Sequence, residues 1–170
     1  MSRMNRPRPL GYLIALAVFL IDQLSKWYVV DRLRLPEVLQ IRVLPVFDLT
    51  WVRNFGVSMG LLTASSDVAR WLLVVLTGLI AGGVAVWLWR ERKTPDMVAL
   101  GLVLGGALGN ILDRVRLGYV ADFLDLHFGG WHPFLVFNIA DAAITIGVLL
   151  LLLRAFLTRD GAGSSENVHA

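Results

Sequence analysis

The chain contains no cysteine. Disulfides, thiolate catalysis and cysteine-based zinc sites are therefore excluded. Charge is also scarce: Asp, Glu, Lys and Arg make up 17% of 170 residues, against 56% hydrophobic residues and a mean hydropathy of +0.67. That balance excludes an ordinary soluble domain and marks an integral membrane protein. A pI near 9.8 would suit a nucleic-acid binder, but the net charge is only +3. The basic residues also sit at the ends of apolar runs instead of in one patch, so no nucleic-acid partner is expected.

What is present is long hydrophobic runs. Four spans read at about 10–30, 71–89, 95–114 and 138–157, near the length of about 20 residues that crosses a bilayer. Thr94-Pro95 offers a start for the third and Gly118 a stop. A cleaved signal peptide is the rival reading of the first run, because Ala15-Leu16-Ala17 mimics a cleavage motif. That motif lies in mid-run, so a retained anchor is expected. Arg3, Arg6 and Arg8 precede span one, Arg90, Arg92 and Lys93 join spans two and three, and Arg154 and Arg159 end span four. The positive-inside rule then puts both termini in the cytoplasm, and residues 31–70 and 113–137 on the outer face. Within the first outer segment, Val38 to Leu44 and Phe47 to Val52 read as short strands of an outer β element spanning about 36–60. The expected fold is a membrane all-α protein: four transmembrane helices with a small extracytoplasmic β-sheet element. Residues 1–160 read as one domain and 161–170 as a disordered tail. Gly101, Gly105 and Gly109, and likewise Gly78 and Gly82, recur every four residues and read as helix-packing faces.

Two acids stand out against this background. Asp122 and Asp141 each have apolar or small neighbours and each adjoins a span. Acids at membrane depth are costly and are usually retained for function. The topology places both at the outer surface, 19 residues apart in sequence. For Asp141 a structural role is also open, because Asn138 three residues earlier makes a capping-box arrangement at the start of span four. For Asp122 the alternative is a solvated loop residue. The functional reading is a pair of carboxylates sharing one proton. One member acts as general base on water while the other polarises a carbonyl. Asp22 and Lys26 share a face of span one, and Asn110 and Arg114 a face of span three, with Asp113 beside them. With Asn54, these residues read either as a polar belt for a peptide backbone or as a network tying helices together.

Three other signals are weaker. Gly56-Val57-Ser58-Met59-Gly60 matches the nucleophile-elbow pattern, but that pattern needs an α/β-hydrolase sheet. His127 and His132 near Asp125 lack HExxH spacing, so no metal is expected. Ion transport is the alternative use of intramembrane acids, but the chain has no inverted repeat. A non-enzymatic scaffold would need the glycine faces but not the two acids.

Five stretches taken together carry a family resemblance: Asp22-Gln23-Leu24-Ser25-Lys26, Asn54-Phe55-Gly56, Gly105 through Arg114, Val120-Ala121-Asp122-Phe123, and Phe137 through Ile144. Over roughly residues 10–155 the chain resembles the lipoprotein signal peptidases (signal peptidase II), bacterial inner-membrane aspartyl proteases. The resemblance implies that Asp122 and Asp141 are the catalytic dyad. It implies that Asn54, Gly56, Asn110, Arg114 and Asn138 line or orient the site. Asp22 and Lys26 would be a structural polar pair, with Asp113 supporting the fold near Arg114. The implied substrates are prolipoproteins whose cysteine already carries diacylglycerol, cut just before that cysteine without a cofactor. Membrane lipids are the other implied partners, the enzyme is expected to be a monomer, and globomycin-type cyclic peptides inhibit the family. One departure concerns the segment after Asn54, which usually reads Gly-Ala-Ala-Phe and here reads Gly56-Val57-Ser58-Met59.

Overall fold

The computed structural model describes residues 9–56 and 67–160. The Ser58 pattern, the Val57-Ser58-Met59 departure, the N-terminal arginines and the 161–170 tail lie outside the described residues. Among the described residues, four helical spans are long and apolar enough to cross a bilayer. They are α1 (Leu10–Trp27), continued by a π-helical turn (Tyr28–Arg32), then α3 (Asp67–Arg90), α4 (Thr94–Leu117) and α5 (Ile139–Asp160). A one-turn helix, α2 (Leu35–Val38), follows the π turn. The third span is longer than the sequence suggested. Lys93 rather than Thr94 precedes its first turn, and Gly118 ends it in the left-handed conformation (φ 84°), which glycine adopts without steric cost.

Helix α4 is the centre of the bundle and packs against α1, α3 and α5. Its glycines make this possible. A Cβ on Gly101 would meet the Gly11 carbonyl oxygen, and one on Gly105 would meet that of Ala15, both on α1. On the other side a Cβ on Gly106 would meet the carbonyl oxygen of Ala140 in α5. Without side chains at these positions the backbones approach closely, and dispersion replaces the hydrophobic effect that lipid cannot supply. Gly78 and Gly82 behave differently from the expectation. Nothing lies within 4 Å of a Cβ at either position, so this stripe of α3 packs on no described element. Helix α3 instead joins α4 through Ala81 and Leu88, in a cluster with Met97, Leu100 and Leu104. Gly105→Leu is therefore expected to lower stability by about 1–3 kcal/mol through overpacking, whereas Gly78→Leu leaves the thermal midpoint in detergent unchanged. Equal shifts for the two variants would contradict this packing.

At one end of the bundle lies a three-stranded antiparallel sheet in the order β1 (Gln40–Leu44), β2 (Phe47–Asn54), β3 (Val120–Leu126). The first two strands fall within the expected β element, although Val38 belongs to α2. The third corrects the sequence reading, which left residues 113–137 as a connection. Val120–Leu126 carries two acids, Asp122 and Asp125, which weaken any local strand signal. The strand forms because it pairs with β2 across a long separation, Asp48 facing Asp125 and Val52 facing Asp122. A bulge between Leu49 and Val52 shifts the register. Phe123 of the sheet clusters with Val29 of the π-helical turn and Leu35 of α2, and Ile41 and Leu49 pack against them.

Candidate active site

Both candidate carboxylates are positioned by the start of α5. Asn138 immediately precedes that helix and is fully buried. Its Oδ1 accepts from the Asp141 backbone N–H (2.9 Å), and its own N–H donates to Asp141 Oδ2 (3.2 Å). This reciprocal pair satisfies two donors that a helix start otherwise leaves free. Because Oδ1 is occupied, the Asn138 amide must turn its Nδ2 the other way. It donates there to Asp122 Oδ1 (2.7 Å) and Asn110 Oδ1 (3.1 Å). One asparagine thus touches both acids. The capping role expected for Asn138 coexists with a bridge that sequence spacing did not reveal.

The remaining oxygens are held by two further asparagines. Asn110 Nδ2 of α4 donates to Asp141 Oδ1 (2.8 Å). Asn54 Nδ2, at the end of β2, donates to Asp122 Oδ2 (2.9 Å). The Asn54 amide is oriented by the Gly56 N–H, which donates to its Oδ1 (2.8 Å). Gly56 has φ +89°, and a Cβ there would lie 3.3 Å from Arg114 Nη2. A side chain at position 56 would therefore crowd the guanidinium as well as strain the turn. Arg114 Nη1 donates to the Asn110 carbonyl (3.5 Å), and its buried Nε has no hydrogen-bond partner among the described residues.

A second cluster supports this floor from the membrane side. Lys26 Nζ lies 2.8 Å from both Asp22 Oδ2 and Asp113 Oδ2, and all three side chains are buried. Lys26 also donates to Asn110 Oδ1 (3.3 Å), linking the two clusters. Asp22 Oδ1 accepts the Ala140 N–H (3.0 Å), and Asp113 Oδ2 accepts the Ala121 N–H (3.2 Å). These acids therefore grip the residue before Asp141 and the residue before Asp122. The expected Asp22–Lys26 pair is in fact a three-membered bridge. Asp113 supports the fold through Lys26 and the β3 backbone, with no ion pair to Arg114 among the described residues. Gln23 was not singled out from the sequence. Its Nε2 donates to Asp113 Oδ1 (3.0 Å), Asp22 Oδ2 (3.1 Å) and the Gly109 carbonyl (3.3 Å). Its place between Asp22 and Lys26 was the available signal.

The electrostatics follow from the inventory. Among the described residues, Asp22, Asp113, Asp122 and Asp141 are opposed by Lys26 and Arg114, so an added proton relieves the excess negative charge. Burial pushes the Asp122 carboxyl up to about 6, and the neighbouring Asp141 charge pushes the same way. Hydrogen bonds from Asn54 and Asn138 oppose the shift without cancelling it. A carboxyl that holds its proton in mildly acidic solution beside a second carboxylate suits general acid–base work on water.

His127 and His132 lie beside other acids. His132 Nδ1 sits 2.9 Å from Asp125 Oδ1, and His127 Nε2 3.3 Å from Asp48 Oδ2. Asp125 lies three residues beyond Asp122 on the same strand, a spacing that alternation sends to opposite faces. No group of three or more His, Asp or Glu side chains among the described residues has metal-holding geometry.

Comparison with known proteins identifies the family. The model of the family described as signal peptidase (SPase) II matches residues 14–157. A lipoprotein signal peptidase of Rhizorhabdus wittichii is 61% identical over 163 residues, covering 96% of this chain and 95% of that protein. One from Sphingopyxis alaskensis is 50% identical over 156 residues, covering 92% and 90%. A bacterial membrane enzyme solved by the in meso method at 2.3 Å resolution superposes with a TM-score of 0.76 at 29% identity, covering 95% of each chain. The helices, the sheet and the matched sequence together establish that this chain belongs to the signal peptidase II family of membrane aspartic peptidases.

Proposed function

We propose that Asp122 and Asp141 form a catalytic dyad that removes the signal peptide from diacylglyceryl-modified prolipoproteins, cutting just before the lipidated cysteine. The observation that carries this reading is the Asn138 bridge, which donates to both carboxylates from the start of α5. A water held between the acids loses a proton to the ionised member as its oxygen attacks the scissile carbonyl carbon. The protonated member hydrogen-bonds the carbonyl oxygen as negative charge develops there. The tetrahedral intermediate then collapses, the carbon–nitrogen bond breaks, and the departing amine takes a proton from the dyad. Asn54, Gly56 and the Nε of Arg114, which has no partner among the described residues, would line the approach and hold the peptide backbone. Asn110 orients Asp141, while Lys26, Asp22 and Asp113 act as positioning residues. No cofactor enters this scheme.

The substrate's two acyl chains suit a site at the bilayer surface, since each buried methylene contributes about 0.8 kcal/mol to anchoring. The chain is a multi-pass protein of the bacterial inner membrane. We place both termini in the cytoplasm and the dyad at the periplasmic face, treating residues 1–160 as one peptidase domain that works as a monomer. Support comes from Arg90, Arg92 and Lys93, at the opposite end of α4 from the sheet. A single cysteine introduced at Gly129 is expected to react with a membrane-impermeant thiol reagent in intact spheroplasts, and one at Arg92 only after lysis. The reverse pattern would overturn the orientation.

A cleavage assay with a purified diacylglyceryl prolipoprotein tests the chemistry. The competent dyad carries one proton. With Asp122 raised to about 6, that proton is held below pH about 6 and lost above it. Accordingly kcat/KM, which reports the free enzyme, falls as pH rises through about 6. A bound peptide excludes water, raises the value further, and moves the break in kcat to higher pH. A chelator leaves the rate unchanged. Profiles flat from pH 4 to 9, or chelator-sensitive cleavage, would reject a proton-sharing pair.

A further inference from the structure

The seam between α1 and α4 holds two recesses that the proposed chemistry does not use. The lower, of about 520 Å³, is lined by Tyr12, Leu16 and Phe19 of α1 and by Leu108, Ile111 and Val115 of α4, with no charged residue. The upper, of about 160 Å³, lies toward the sheet end and is lined by Gln23, Trp27 and Asp31 on one side and Asp113 and Arg116 on the other. Positions 12, 16, 19, 23 and 27 advance by three or four residues and form one stripe of α1, which Val30 of the π-helical turn continues. The two recesses therefore follow each other along the same side of that helix, apolar first and then polar.

Charge at the upper mouth is unspent. Lys26 and Asp113 at its floor are committed to the three-membered bridge with Asp22. Asp31 and Arg116 are exposed, and among the described residues neither makes an ion pair. Trp27 borders the recess beneath the Arg32 guanidinium (5.1 Å from the ring), an aromatic placement common at membrane interfaces.

We propose that this seam binds one zwitterionic phospholipid with an amine headgroup. Its phosphate meets Arg116, its ammonium meets Asp31, and one acyl chain lies in the apolar groove. A guanidinium matches phosphate geometry and remains charged at any working pH. The lengths agree: half a hydrocarbon core is about 15 Å, which is about ten residues of helix at 1.5 Å each. Counted down from Trp27, that depth ends between Phe19 and Leu16, inside the apolar groove. An anionic lipid would leave Asp31 without a partner, and diacylglycerol would satisfy neither charge. The upper recess also reaches Ala121, the neighbour of Asp122, so an occupant packs against the strand that carries this acid. This site does not depend on the proposed peptidase chemistry.

Full-length protein, stripped of lipid in detergent, can be offered equal amounts of phosphatidylethanolamine, phosphatidylglycerol and diacylglycerol and read by native mass spectrometry. The wild type should retain one phosphatidylethanolamine in preference to the others. Arg116→Gln should cut that retention about tenfold, as loss of one charge-assisted contact implies. Asp31→Asn should abolish the preference over phosphatidylglycerol. Arg42→Gln, removing an equal charge from exposed β1, should change nothing. Phosphatidylethanolamine with brominated chains should quench wild-type fluorescence more than that of Trp27→Phe, a readout that needs no charge variant. Equal retention of all three lipids, the same loss in Arg42→Gln, or no quenching difference at Trp27 would reduce the seam to ordinary lipid solvation. Preferential retention of diacylglycerol would assign the groove to the substrate's own chains and overturn the proposal.

Discussion

Asp122→Asn and Asp141→Asn are each expected to lower kcat for prolipoprotein cleavage by about 10²- to 10⁴-fold, the range attributed to general acid–base catalysis. Either change removes a group that must exchange protons with water or carbonyl. The structure adds a second consequence. Both oxygens of each acid accept N–H donors, from Asn54 and Asn138 at Asp122 and from Asn110 and Asn138 at Asp141. An asparagine amide turns its own NH2 toward one of those donors, so each variant also loses a buried or half-buried hydrogen bond at about 1–3 kcal/mol. A thermal-melting measurement in detergent separates the two effects, because a folded, substrate-binding variant with collapsed kcat isolates the chemistry. Cleavage at wild-type rate by either variant would remove that residue from the dyad.

Lys26→Met is expected to destabilise the protein by about 3–5 kcal/mol. Lys26 is the cation shared by Asp22 and Asp113, and removing one side of a buried ion pair leaves uncompensated charge in a poor solvent. The effect should reach the site, because Asp22 holds the Ala140 N–H and Asp113 holds the Ala121 N–H. Those residues immediately precede Asp141 and Asp122. A triple variant, Asp22→Asn with Lys26→Met and Asp113→Asn, replaces the charges by neutral groups and should recover much of the lost stability. Melting curves for the single and triple variants test this. A Lys26→Met midpoint equal to wild type, or no recovery in the triple variant, would mean the bridge is not what holds these backbones.

How far the sequence led differs by element. The spans were legible because about 20 apolar residues in a row have few alternatives in a cysteine-free chain. The Gly101–Gly105–Gly109 stripe was legible as packing, and it does meet α1. The same spacing at Gly78 and Gly82 misled, because spacing describes one helix and says nothing of whether a neighbour arrives. Strand β3 was missed because its acids weaken the local pattern and its partner lies far away in sequence. Gln23 was overlooked because two of its three contacts, to Gly109 and Asp113, join α1 to α4.

The candidate site divides in the same way. The chain alone determined that the protein lives in a membrane and that acids stand beside its spans. The Asn138–Asp141 cap was also readable, being a local arrangement over three residues. Only the tertiary structure decided that Asn138 reaches Asp122 as well, that Asn54 comes from another strand to the same acid, and that Lys26 serves two carboxylates on different helices. Hydropathy and helix caps depend on neighbours in sequence, so composition and short spacing reveal them. Which side chains share a buried charge depends on how α1, α4, α5 and β3 pack, and close approach at the α4 glycines decides that.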